Sequence, residues 1–366
     1  MPKYIYEYKT WTEFKWQETA INTVFGEVRN LQGRVLALMS TLGFSTREEA
    51  KLSTLAMDVI KSSEIEGEKL DYDQVRSSIA KRLGINMAGM ISVSRDVEGV
   101  VEMMLDATQH YTQPLTHDRL FGWHASLFPT GRSGMYKIEV GRYRTAEMQI
   151  VSGAMGKEKI HYVAVPANKV KAEMDQFLDW FNEDSSIDPV IKSAIAHFWF
   201  VIIHPFDDGN GRIARAISDL LLARADGSSE RYYSMSSQIL LERKEYYDVL
   251  QRVQHSSADI TDWLSWFLSC LKSSLQSTEI TLRKTMRKNQ FWMTYENTPI
   301  NERQRLMINK LFDGFEGKLK SSKWAKMAKC STDTALRDIK DLIEKGILRQ
   351  EQQGGRSTNY ELVDFM

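Results

Sequence analysis

The run His204-Pro205-Phe206-Asp207-Asp208-Gly209-Asn210-Gly211-Arg212-Ile213-Ala214-Arg215 brings together a base, two acids, two glycines and two guanidinium groups. An apolar stretch, Ala194 to Ile203, leads directly into it, so a buried helix delivers a polar loop. Beyond the loop, Ile213, Ala214, Ala216, Ile217 and Leu220 to Ala223 resume a helical pattern and set Gly209, Asn210 and Gly211 at a helix N-terminus. Unpaired N–H groups and the helix dipole make such an end an anion site, and the glycines let a phosphate approach the backbone. Arg212 and Arg215, three apart, share a helix face and suit a polyphosphate better than a single carboxylate. Asp208 would repel bare phosphates there unless a hard cation such as Mg²⁺ bridged them. A neutral His204 near pH 7 can take the proton of an attacking hydroxyl.

Asp-Gly-Asn-Gly by itself marks a turn. A calcium loop of the EF-hand type wants a glutamate at its twelfth position, whereas the cations Arg212 and Arg215 follow here and repel calcium. The whole run matches without exception His-x-Phe-x-(Asp or Glu)-Gly-Asn-Gly-Arg-x-x-Arg, the signature of the Fic family, and the chain resembles the Fic protein AMP-transferases over roughly Asp96 to Leu268. The resemblance implies a mainly α fold: a Fic-type helical core with a β-hairpin flap. It implies that His204 deprotonates a target hydroxyl and that Asp208 holds Mg²⁺ on the α and β phosphates. Gly209, Asn210, Gly211 and Arg212 would cradle ATP, with Ile213 and Ala214 in the same ATP-binding turn and Arg215 reaching the γ-phosphate. The family reaction moves AMP from ATP to a Ser, Thr or Tyr hydroxyl of a target protein and releases pyrophosphate.

Three further segments acquire roles by the same resemblance. Glu147 to Val165 reads as two short strands, Met148-Gln149-Ile150-Val151 and Ile160 to Val165, around a glycine-containing loop. It corresponds to the family's flap, whose strand edge pairs with an extended target segment. Tyr247, in Glu242-Arg243-Lys244-Glu245-Tyr246-Tyr247, lies where the family contacts the nucleotide base. Upstream, Ser62, Glu66 and Gly67 fit (Ser or Thr)-x-x-x-Glu-(Gly or Asn), the pattern of an inhibitory helix placed before the core. A carboxylate paired with Arg215 would take the place of the γ-phosphate and hold the enzyme slow. The family gives the same glutamate a reverse role, aligning water to remove AMP, and the residues do not separate the two.

These residues need elements to carry them. Tyr4, Tyr6, Tyr8, Trp11, Phe14 and Trp16 form an aromatic leader assigned to packing on the core or on a dimer partner; Val24, Val28, Leu31, Val35 and Leu38 then mark one amphipathic helix. The inhibitory helix starts near Ser45, where Ser45-Thr46-Arg47-Glu48 reads as a capping box, and ends at Gly67. Further helical patterns cover approximately residues 70 to 83, 92 to 111, 116 to 127, 168 to 183, 187 to 203, 212 to 224 and 242 to 270. The resemblance implies a catalytic core (96–270), and the patterns around it predict an N-terminal helical segment (1–95), a basic linker helix (271–299) and a terminal module (300–366) of three helices and a hairpin, a winged helix-turn-helix. That module has 13 Lys and Arg against 10 Asp and Glu. Thr332, Thr334, Arg337 and Lys340 would lie on its recognition helix and Arg356 on its wing, fit for DNA, although so small an excess also suits protein interaction.

Composition bounds the rest. The 366 residues suit two to three domains, and 48 basic against 48 acidic side chains leave no whole-chain field for a membrane or nucleic acid. Seven prolines leave long stretches without helix breakers. Cys270 and Cys330, far apart and without a partner motif, exclude a disulfide framework and a cysteine zinc site and suit a reducing compartment, taken as the cytoplasm. The N-terminus has no apolar signal core, and Phe198 to Ile203 is far shorter than the ~20 residues of a spanning helix. The resemblance implies a protein adenylyltransferase using ATP and Mg²⁺, braked by Glu66. The alternatives are AMP removal, transfer of another nucleotide, or a DNA-binding regulator with a nucleotide-sensing core.

Overall fold

The computed structural model describes residues 2–85, 89–152, 159–184, 186–351 and 358–364. The chain forms two compact units, 1–279 and 280–366. In the first, α1 (Glu18–Ser40), α2 (Phe44–Ile65), α3 (Tyr72–Leu83), α4 (Arg95–Gln109) and α5 (His117–Leu127) precede two antiparallel hairpins. These are β1 (Arg132–Ser133) with β2 (Tyr136–Lys137), and β3 (Gln149–Ser152) with β4 (Lys159–Val163). Then come α6 (Val170–Asn182), α7 (Pro189–Ile203), α8 (Asn210–Asp226), α9 (Met235–Leu241), α10 (Arg243–Gln254) and the first part of α11 (Thr261–Thr294). The fold is mainly helical, as the sequence suggests, and among the described residues no helix is long and apolar enough to cross a membrane.

The axis of the unit is α7. Asp188 caps it by accepting from Val190 N at 2.8 Å, and Pro189 occupies the first turn, where its missing N–H costs nothing. Every other residue except Val201 is buried, the mark of an apolar helix sunk in a core. It packs along α8, and Ser193 Oγ donates to the Ser218 carbonyl at 3.1 Å between them. The aromatic leader covers α7 and β4: Trp11 and Phe14 meet Trp199 edge-on at 5.9 and 5.4 Å, and Tyr4 meets Tyr162 at 5.1 Å.

The chain departs from its local sequence patterns in four places. Gly43, not Ser45, caps α2, since the Gly43 carbonyl accepts the first helical bond from Arg47 N. The pattern over 242 to 270 is two helices, and at the break between them Lys15 forms a one-residue bridge that accepts from Ile260 N and donates to Ala258 O. Asp259 Oδ1 then accepts from Thr261 N at 2.9 Å and starts α11. Helix α9, capped by Ser234 on Ser237 N, and the hairpin β1–β2 were not foreseen, their runs being too short for periodicity.

In the second unit the end of α11 is followed by α12 (Glu302–Phe312), α13 (Ser321–Met327), α14 (Thr332–Glu344) and the antiparallel pair β5 (Leu348–Gln350) and β6 (Tyr360–Leu362). Asn301 and Gln304 form a capping box on α12. Trp324, Ile339, Leu342, Met307 and Ile308 make the core. Amphipathic α14 turns Ala335, Ile339 and Leu342 inward and leaves Thr332, Arg337 and Lys340 exposed, with Thr334 half-buried. Arg356 lies outside the described residues.

Candidate active site

Helix α7 ends at His204, which adopts the left-handed conformation (φ 52°) and turns the chain out of the core. A buried helix end must satisfy its last carbonyls, and here every carbonyl from residue 200 to 206 has a donor. Phe200 O accepts from His204 N, and Val201 O from His204 Nδ1 at 3.3 Å. Ile202 O accepts from Tyr162 Oη, while Ile203 O and His204 O accept from the Arg144 guanidinium. Pro205 O accepts from Arg144 N, and Phe206 O from Asn210 Nδ2. Phe206 itself is buried and stacks on His124, with centroids 4.3 Å apart. Asn210 also accepts from Phe206 N, so its amide clamps the loop from both sides. Gly209 (φ 80°) opens α8 where a Cβ would stand 2.9 Å from Phe128, which admits no other residue without strain.

A carbonyl only accepts, so the contact to Val201 assigns the hydrogen to Nδ1 and leaves Nε2 of His204 as the lone-pair nitrogen. Burial of the ring, helped by the Arg144 cation, pushes its pKa down to about 4, outweighing the Val201 carbonyl, Glu66 and Asp208, which favour the charged form. The imidazole is therefore neutral at pH 7. It lines a cavity of about 550 Å³ together with Glu66, Gly211, Tyr247 and the hairpin residues Ile150 and His161. Tyr247 is 41 % exposed with Arg243 over its ring at 5.7 Å, whereas Tyr246 is buried against His197. Strands β3 and β4 pair from Gln149–Val163 to Ser152–Lys159 with a register shift after Ile150; the expected flap's tip, 153–158, lies outside the described residues.

Helix α2 closes the cradle. Its end is a Schellman turn: Glu68 N donates to Ser63 O, Gly67 N donates to Glu64 O, and Gly67 takes φ 88°. This turn aims two carboxylates at α8. Glu66 Oε1 accepts from Arg215 Nη2 at 2.8 Å, and Ser62 holds the same guanidinium through Oγ to Nε (2.9 Å) and its carbonyl to Nη2 (2.8 Å). A Cβ on Gly211 would meet Glu66 Oε1 at 2.2 Å, so the glycine is what admits the carboxylate to the helix end. Glu68 Oε2, which the sequence reading missed, accepts from Arg212 Nη1 at 2.6 Å. Burial raises the Glu68 pKa, with Arg212 opposing and Asp208 and Glu66 adding to the rise. Both arginines are buried, and among the described residues Arg215 Nη1 and Arg212 Nε have no hydrogen-bond partner. Ile213 and Ala214 are buried in the core, and Ile213 N is spent on Gly209 O.

Asp208 accepts from Gly209 N at 2.6 Å through Oδ1 and from Ser133 Oγ through Oδ2. Among the described residues no group of three or more His, Cys, Asp or Glu could hold an ion by itself. One fixed carboxylate fits a Mg²⁺ ion that draws its other ligands from phosphate and water. Ser133 and Arg144 also escaped the sequence reading: each reaches its partner across more than fifty residues, and no local spacing signals such a contact.

Residues 114–222 match the model of the Fic/DOC family. The chain carries a Fic domain. It contains His204 to Arg215 and ends before Tyr247, while Ser62, Glu66, Gly67 and Glu68 fall in a second match, residues 4–85, to a domain of unknown function (DUF4172). A protein adenylyltransferase Fic from Nematostella vectensis is 22 % identical over 224 residues, 60 % of this chain and 47 % of that protein. The protein adenylyltransferase fic-1 of Caenorhabditis elegans is 36 % identical over 90 residues, 24 % of this chain and 16 % of that one. The chain thus spans less than half the length of these relatives. The Fic fold itself recurs in a Fic family protein from Desulfovibrio desulfuricans G20 (22 % identity, 94 % of this chain and 96 % of that one, TM-score 0.54). It recurs too in a Fic domain-containing signaling protein from Bacteroides thetaiotaomicron (21 % identity, 70 % and 98 %, TM-score 0.52).

Proposed function

We propose that this chain transfers AMP from ATP to a hydroxyl of a target protein. The observation that carries the reading is the meeting, in one cavity, of a neutral His204 with the glycine-opened end of α8, whose first turns also carry the buried Arg212 and Arg215, each with one N–H group left without a partner among the described residues. The hydroxyl oxygen attacks the α-phosphorus while its proton passes to Nε2 of His204; the bond from that phosphorus to the bridging oxygen breaks and pyrophosphate leaves. Arg212, Arg215 and the first N–H groups of α8 hold the β and γ phosphates, and the exposed face of Tyr247 receives the base. Asp208 would hold Mg²⁺, which supplies charge neutralisation on the phosphates when bound. Exposed Val151 and Ile160 on the hairpin present an apolar edge to an extended target segment.

We read α2 as a brake: Glu66 on Arg215 fills the place of the γ-phosphate, and Glu68 engages Arg212 beside it. Residues 300–366 are read as a winged helix whose α14 presents Arg337 and Lys340 to DNA. Two free cysteines accord with a cytoplasmic setting. The deciding experiment incubates the purified chain, its Glu66→Gly variant and the Glu66→Gly/His204→Ala double variant with α-labelled ATP, Mg²⁺ and a lysate. Label on proteins with Glu66→Gly and not with the double variant supports transfer; no label with Glu66→Gly sinks it and leaves a nucleotide-sensing regulator.

A further inference from the structure

Arg144 lies in the loop between β2 and β3, buried, and all four of its side-chain acceptors are backbone carbonyls. Nε donates to His204 O at 2.8 Å and Nη2 to Ile203 O at 3.3 Å, while Nη1 donates to Ala146 O at 2.9 Å and Nη2 also to Val165 O. Its own N–H holds Pro205 O at 2.9 Å. Ala146 and Val165 flank the β3–β4 hairpin, so one guanidinium joins both feet of the hairpin to the turn that carries the base. The end of α7 is the negative pole of a helix and, with the charges of Glu147 and Asp207 nearby, suits a buried cation whose hydrogen bonds all go to carbonyls. A histidine held at positive φ persists only where its surroundings over-determine it, and Arg144 supplies three of the contacts that do so.

We propose that Arg144 is a positioning residue for His204, fixing the backbone that aims the imidazole and tying that backbone to the hairpin; its effect on rate rests on the AMP-transfer reading. Arg144 touches neither the cradle 209–215 nor α2 through any of these bonds. Its loss misaims the base and leaves the nucleotide site standing. A planar fork is required, because three nitrogens of one group serve four carbonyls; lysine keeps the charge and offers one nitrogen.

The test uses the full chain with Glu66→Gly as parent, and adds Arg144→Lys and Arg144→Met. Expected for Arg144→Met is a fall in kcat of about tenfold to a hundredfold, since a displacement near 1 Å can cost that much, with the Kd for ATP within about threefold of the parent. Arg144→Lys should lie between the two. With ¹⁵N-labelled histidine, His204 should pass from a single Nδ1–H tautomer in the parent to a mixture in Arg144→Met. An unchanged tautomer and kcat overturn the proposal, as does a loss of ATP affinity and thermal midpoint in step with rate, which would make the residue merely structural. A parent without transfer activity refutes the AMP-transfer reading instead, and the tautomer measurement alone then decides whether Arg144 sets His204.

Discussion

Glu68 and Arg212 form a 2.6 Å ion pair one turn of α8 from the pair of Glu66 with Arg215, so the same end of α2 engages both guanidinium groups of the cradle. The two are unequal. The Glu66 side chain is 30 % exposed and that of Glu68 is 45 %, which leaves Glu68 better screened by water.

Glu66→Gly should raise ATP affinity and labelling together, by about tenfold to a hundredfold, the size of one charge-assisted arginine contact. Glu68→Gln alone should raise ATP affinity by a few-fold and add to Glu66→Gly in the double variant. Calorimetric titration with ATP checks both. A Glu66→Gly variant no tighter than wild type contradicts the brake, and additivity that fails would show that Glu68 acts only through Glu66.

His204→Ala should lower transfer by about 10² to 10⁴ and leave ATP binding nearly intact. The folded-state pKa of the ring is depressed to about 4, so the active neutral form persists as pH falls from 8 to 5 and is lost only near 4. The histidine limb of kcat against pH should therefore be absent above pH 5 in the Glu66→Gly chain. A limb near the ordinary histidine value of about 6.5 that vanishes in no other variant would place the base elsewhere.

Gly209→Ala should lower both stability and activity. The new methyl meets Phe128 at 2.9 Å and Leu127 at 3.2 Å, at a φ that L-residues rarely adopt; such strain costs on the order of 1–3 kcal/mol. Chemical denaturation measures it. Wild-type stability would mean that the loop tolerates another path.

DNA binding through α14, if present, should weaken steeply with salt, because each neutralised phosphate releases counterions. Arg337→Ala and Lys340→Ala in the full chain should each flatten that salt slope. Duplex DNA binding that is absent, or indifferent to salt, leaves the second unit as a protein-interaction module.

The chemistry-bearing run was legible because its residues are contiguous: position in sequence nearly fixes position around the first turn of α8. Ser62 and Glu66 were legible through a short pattern tied to that run, and both sit on Arg215. Glu68 was within reach, since a Schellman turn sends the residue after its glycine back toward the helix it ends. The Asn210 side chain clamps Phe206 through both amide atoms, a contact that its reading as a phosphate ligand does not contain. Arg144, Ser133 and Tyr162 were not legible at all. What they do depends on which carbonyl or carboxylate lies opposite in space, and sequence periodicity reports only which face of an element is apolar. The break between α10 and α11 is legible only in part: the Asp259 cap on Thr261 is local, whereas the Lys15 bridge beside it comes from more than two hundred residues away.

The leader's place behind the hairpin bears on what a target must supply to bind. Tyr4 rests edge-on against Tyr162, whose hydroxyl holds the Ile202 carbonyl, so β4 is backed by the chain's own first turn and anchored to α7. The conformational entropy of ordering this strand is already lost in folding. A target segment added to it, as the proposed function requires, would have mainly its own disorder to give up, which favours loosely structured loops and tails whose backbone bonds can outweigh that single cost.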